Sequence, residues 1–227
     1  MGMWLLNIKG ESMRIFFVLC LFLLTYATGQ AVVFERDIEL VSAFKANNLK
    51  IIVLCNFQGS NNVQDIVTAS RSPGYELTNL GISMLQDTLP GLRKEHISHI
   101  YTAPSFRAQQ ATNLLGKGLN LLPNQLSVDS RLGMQNFGSA DGEDYDDYKA
   151  RFAGLEDMLE NTPPNGESGY SVFTRTDDFL NSLSSLENQT VLVVTHAFNF
   201  CHITKIITGK YGTVPAPGTY VIYDFHN

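Results

Sequence analysis

Two residues raise the chemical question, Arg107 and His196. Each follows a short apolar run. "HISHIYTAP", His96 to Pro104, leads into "SFRA", so Arg107 falls in the first turn of a predicted helix. "TVLVVTH", Thr190 to His196, ends on the histidine itself. If both runs are parallel strands, their carboxyl ends share one side of a sheet, where such sheets bind ligands. An arginine and an imidazole beside a helix N-terminus make a set suited to phosphate. Taken singly, each signal is weak. An arginine in a first helical turn is usually a surface residue, and a histidine after a strand is often a hydrogen-bonded core residue.

A third run completes the pattern and breaks it. In "LKIIVLCNFQGSNN", Leu49 to Asn62, five apolar residues from Ile51 to Cys55 stop at Asn56-Phe57-Gln58-Gly59-Ser60. A β-branched-rich run bounded by turn residues reads as a strand buried on both faces. Its tip lies where an active site is expected, yet it offers no histidine, arginine, carboxylate or obvious nucleophile.

The remaining elements position these tips. Helical spacing is predicted over Asp37–Asn47 and Leu77–Leu92, the latter capped by Thr78 and closed by Pro90-Gly91. Further helices are predicted from Ser105, over Asp144–Glu160, over Tyr170–Leu186 and from His196 to Ile207. Asp129 to Gly142 and Asn161 to Gly169 read as loops, and "GTYVIYDF" as a last strand. Strands alternating with helices predict an α/β fold, a three-layer α/β/α sandwich around a mainly parallel central sheet.

The order of motifs resembles that of the phosphoglycerate-mutase-like histidine phosphatases. "LTNLG" (Leu77–Gly81) resembles their "LTxxG". "HIYTAPSFRAQQATNLL" (His99–Leu115) is similar to "xIYSSPLxRAxQTAxxL". "RLGMQNFGSADG" (Arg131–Gly142) resembles "RLREINFGDWEG", "GESGYSVFTR" (Gly166–Arg175) resembles "GESxxDVxxR", and "VLVVTHAFNF" (Val191–Phe200) resembles "VLVVSHGGVI". The match runs in order from about Leu49 to the end.

This resemblance implies that a catalytic motif is missing. The first strand of the family ends in "RHG", whose histidine attacks phosphorus while the arginine clamps phosphate oxygens. Aligning Gly59 with the glycine puts Phe57 at the arginine and Gln58 at the nucleophile. A one-residue slip puts Asn56 and Phe57 there instead. No register supplies histidine, and a carboxamide cannot replace imidazole as a nucleophile. The family's glutamate, which protonates the leaving group, falls on Met134, and a thioether cannot be a general acid. Gln135 cannot either, and Asp141 or Glu143 would have to deputise. Arg107 and His196 remain as phosphate-binding residues, with His196 the residual catalytic one.

The resemblance therefore implies an inactive phosphatase-like binding or structural module with a residual anion pocket. The alternative is a working phosphomonoesterase with a non-standard mechanism centred on His196 and Arg107. A weakly held phosphate-containing small molecule or phosphoprotein is the expected ligand; no cofactor or metal is expected. His96, His99, His202 and His226 fall away from the predicted pocket. Gly166-Glu167-Ser168-Gly169 is not a nucleophile elbow, because position 170 is tyrosine and no strand precedes it.

Composition bounds the rest. The chain has 227 residues, 44% hydrophobic and 17% charged, as in ordinary globular proteins. A net charge of −6 without a basic cluster argues against nucleic acid as a partner. Met13-Arg14, the apolar run Ile15–Tyr26 and small residues Ala27 and Gly29 read as a signal peptide over 1–29, with the domain over 30–227. Met13 is a second candidate start, and an uncleaved signal would anchor the chain to a membrane. The expected location is outside the cell or in the secretory lumen, which gives meaning to the glycosylation sequon at Asn188-Gln189-Thr190. Cys55 and Cys201, the two cysteines beyond the signal, do not make a disulfide framework and read as buried thiols.

Overall fold

The computed structural model describes residues 37–69, 74–210 and 212–226. The predicted signal peptide lies outside them.

Among the described residues the chain forms eight α-helices and five strands. Helix α1 (Ile38–Ala46) leads to strand β1 (Lys50–Cys55), the short helix α2 (Ser60–Gln64) and helix α3 (Asn79–Leu92). Strand β2 (His99–Thr102), helix α4 (Phe106–Gly118) and strand β3 (Leu126–Val128) follow. Then come helices α5 (Tyr145–Lys149), α6 (Leu155–Glu160) and α7 (Gly169–Leu183). Strand β4 (Thr190–Thr195), helix α8 (Ala197–Thr208) and strand β5 (Tyr220–Asp224) close the domain.

The five strands form one sheet in the order β3-β2-β4-β1-β5. β1 and β2 both pair with β4 in parallel, and only β5 runs antiparallel, along the outer side of β1. The alternation predicted for a strand buried on both faces is literal. Ile51 and Val53 enter one apolar layer with Phe179, Leu180 and Ile203, from α7 and α8. Ile52 and Leu54 enter the other with Leu85, Leu92 and Leu115, from α3 and α4. Helices thus cover both faces, giving the α/β/α sandwich with a mostly parallel sheet.

Two local departures from the predicted elements have physical causes. The predicted helix over Asp144–Glu160 is two helices, because the chain is extended at Gly154 and Asp157 Oδ2 accepts from Ala153 N–H, capping a fresh start. Helix α3 runs through Pro90 and ends at Leu92, the predicted end, with Thr78 as its cap. Proline has no N–H for the carbonyl four residues earlier and its ring crowds that carbonyl, a cost confined here to the last turn of the helix. β3 and α2 are too short for periodicity to reveal them.

Candidate functional site

The parallel pairing of β1, β2 and β4 carries their carboxyl ends to one side. β1 and β4 run in register to Cys55 opposite Thr195, and Asn56 N–H extends the ladder onto Thr195 O at 2.8 Å. His196 follows as the N-cap of α8, and Ser105 as the N-cap of α4. Neither side chain caps its own helix. They meet each other instead, Ser105 Oγ to His196 Nε2, at 3.2 Å. Two helix N-termini, each with free amides and partial positive charge, therefore converge on one point.

Arg107 reaches the same ring from the other side, with Nη2 3.4 Å from His196 Nδ1. Because guanidinium only donates, Nδ1 must accept. The ring proton then sits on Nε2 and is donated to Ser105 Oγ. Burial lowers the His196 pKa well below the ordinary histidine value, and the nearby Arg107 and Arg175 cations push the same way. The ring is neutral at physiological pH, and both its nitrogens are engaged.

Arg107 is 4% exposed, and no carboxylate pairs with it among the described residues. Burial lowers its pKa to about 10, so it stays charged. Its Nη1 is buried without a hydrogen-bond partner, as is Asn56 Nδ2 on the strand tip. A buried cation with an unspent donor is a costly arrangement unless an anion offsets it. Gly59 makes room for it, since a Cβ there would lie 2.7 Å from Arg107 Cδ.

Arg107 and His196, predicted to converge, are thus in contact. The other predicted positions do different things. Phe57 is 1% exposed and packs in the apolar layer with Leu54, Leu77 and Leu85, under Gly218. Gln58 is fixed to the start of α3, its Oε1 accepting from Thr78 Oγ1 at 2.7 Å and its backbone oxygen from Thr78 N–H. The residue whose backbone continues the strand register beside His196 is Asn56. In no register does the tip hold a titratable side chain. Met134 is half-buried, lines a cavity and packs against the Phe137–Tyr148 cluster. Asn188 is exposed in a left-handed turn before β4, at the end of that strand remote from His196, and Asn48 Nδ2 donates to its Oδ1 at 2.9 Å. His202 lies apart, stacked on Phe173 at 4.0 Å and paired with Asp177.

A cavity of about 680 Å³ opens in front of Ser105, with Pro104, Met134, Asp141, Glu167 and Arg175 also on its wall. Arg107 and His196 stand behind Ser105. The sequence assigned no role to Arg175, although it closes the "GESGYSVFTR" stretch. It spends all five N–H groups, on the carbonyls of Arg131, Gly133 and Met134 and on the Glu167 carboxylate. That ties the loop carrying Met134 to α7.

The family model described as Histidine phosphatase superfamily (branch 1) matches residues 58–212, and the chain belongs to that superfamily. No curated protein sequence matches it. Among solved structures, it is similar to a mycobacterial glucosyl-3-phosphoglycerate phosphatase, with a TM-score of 0.61, 18% identity, and 76% of this chain and 88% of that one covered. It is also similar to a phosphoglycerate mutase from Bacillus anthracis, with a TM-score of 0.61, 20% identity, and 80% and 91% covered. The match of the family model begins at Gln58, so it leaves out Asn56 and Phe57.

Proposed function

We propose that this chain is a phosphatase-like binding protein that has lost phosphoryl transfer and keeps a weak site for a phosphate-type anion. One observation carries the reading: no residue of the strand tip Asn56-Phe57-Gln58 can accept a phosphoryl group, and the adjacent His196 has both ring nitrogens engaged. Losing a nucleophile typically costs on the order of 10⁶ in turnover. Losing one charged hydrogen bond from the phosphate site costs only about 1.5–3 kcal/mol. Chemistry therefore disappears while binding is merely weakened.

The anion reading is supported by Arg107, charged, buried and without a carboxylate, and by the amides of α4 and α8 beside it. An affinity on the order of millimolar, about −4 kcal/mol, fits a site with half its charged donors. The phosphate-bearing compound named for the mycobacterial relative belongs to the same ligand class. The N-terminal pattern and the Asn188 sequon support entry into the secretory pathway and release from it. The test is hydrolysis of an aryl phosphate by purified protein. Turnover indistinguishable from a His196→Ala variant is expected; ordinary enzymatic turnover abolished in that variant would instead establish a mechanism centred on His196.

A further inference from the structure

The cavity in front of Ser105 has a wall of unusual charge for a site that takes phosphate compounds. Three ionised residues line it: Asp141, Glu167 and Arg175. Arg175 and Glu167 neutralise each other, at 2.9 Å, and Arg175 has no donor left to offer. Asp141 has no ion pair among the described residues. Among the described residues its carboxylate accepts from Ala69 N–H at 2.8 Å and from Thr68 Oγ1 at 3.2 Å, one bond on each oxygen, and each oxygen has a second lone pair beyond these. The other described residues on the wall are neutral. Positive charge sits behind Ser105, in Arg107 and the helix N-termini, and negative charge sits on the cavity wall, in Asp141.

We propose that the cavity prefers zwitterionic phosphomonoesters, with the phosphate toward Ser105 and Arg107 and an amine toward Asp141. The inference rests on the anion reading above and adds the character of the rest of the ligand. A phosphate ester with a second negative group would present it to Asp141, with no free cation among the described wall residues to receive it. An aminoalkyl phosphate presents opposite charge at both ends. Asp141 is exposed, so salt screens the contact and the discrimination is modest, about two- to five-fold per charge change.

The test compares three ligands of similar size: phosphoethanolamine, ethyl phosphate and phosphoglycolate, whose distal groups are cationic, neutral and anionic. Each is titrated at low ionic strength against the His196 ring and Arg107 side-chain resonances. The expected order of affinity is phosphoethanolamine, ethyl phosphate, phosphoglycolate. Asp141→Asn, whose amide oxygen can still accept from Ala69 N–H while its NH2 meets the Thr68 hydroxyl as a donor, should compress the three to within a factor of two, and Asp141→Glu should restore the order. Equal affinity of the three in the parent protein would overturn the preference and leave the anion reading standing. An order that survives unchanged in Asp141→Asn would overturn the assignment to Asp141. No response to any of the three would remove the anion site, and the preference with it.

Discussion

Arg107 Nη2 donates to His196 Nδ1 at 3.4 Å, and among the described residues no carboxylate accompanies either. A cation and a neutral imidazole share a buried space that neither stabilises well. The fold carries this cost, and a bound anion would offset it. That relationship decides what substitutions and pH should do.

Arg107→Met should stabilise the protein in phosphate-free buffer. The effective penalty of a buried unpaired ion is several kcal/mol, against about 1–3 kcal/mol for leaving His196 Nδ1 unpartnered. The charge outweighs the lost bond, so a net gain of about 1–3 kcal/mol is expected. At roughly 2–4 °C per kcal/mol for a domain of this size, that is a visible rise in Tm. Phosphate at about a hundred times its dissociation constant should raise the stability of the parent by about 2.7 kcal/mol and leave the variant unmoved. Thermal melts with and without phosphate check both signs.

Gly59→Ala should weaken the anion response without removing a charge. The new Cβ would lie 2.7 Å from Arg107 Cδ and 2.9 Å from Asn61 Oδ1, closer than such atoms pack. Arg107 has to move, and overpacking of this kind costs about 1–3 kcal/mol. Phosphate titration by NMR should show a smaller shift of His196 than in the parent, and urea denaturation a lower midpoint.

The layered fold and the meeting of Arg107 with His196 were legible because apolar runs and strand ends are written locally. Val191 to Val194 and Ile51 to Leu54 are buried on both faces, as unbroken apolar runs require. The side-chain directions at the strand tip were not legible. Counting back from Gly59 selects Phe57 and Gln58, yet the chain leaves the sheet at Cys55. Beyond that point the two-residue alternation no longer dictates direction, so Phe57 turns into the core and Gln58 is captured by Thr78. The role of Arg175 depends on carbonyls more than forty residues away in sequence, a relation no local pattern encodes.

Phe57→Arg, the change suggested by motif counting alone, should therefore unfold the protein rather than repair it. Removing a buried phenyl ring costs about 3–5 kcal/mol, and an unpaired guanidinium in its place adds to that. Asn56→His places an imidazole where the backbone is in register with His196. Met134→Glu adds a carboxyl in half-buried surroundings, where desolvation raises its pKa toward that of a useful general acid. The double variant Asn56→His/Met134→Glu should hydrolyse aryl phosphate measurably faster than the parent. Chemical denaturation of Phe57→Arg and a phosphatase assay of the double variant separate the two outcomes.

His196 makes the native state sensitive to acid. Burial, with Arg107 and Arg175 adding to it, holds the folded-state pKa well below the unfolded value of 6.5. Below pH 6.5 the unfolded chain binds a proton that the folded chain refuses. More protons on the unfolded state means that stability falls as pH falls. The contribution of a neutral, buried His196 is thus fully present above pH 6.5. It declines progressively below that value, down to the lowered native pKa. Protonation would also place a second cation against Arg107 and force Nδ1 to give up its role as acceptor. A His196→Gln variant cannot titrate there, so its Tm should fall less steeply from pH 7 to pH 5 than that of the parent. Nitrogen chemical shifts of the ring at pH 7 should report a neutral imidazole with its proton on Nε2. A parent and variant with parallel Tm profiles, or a ring found protonated at pH 7, would contradict the geometry from which this dependence follows.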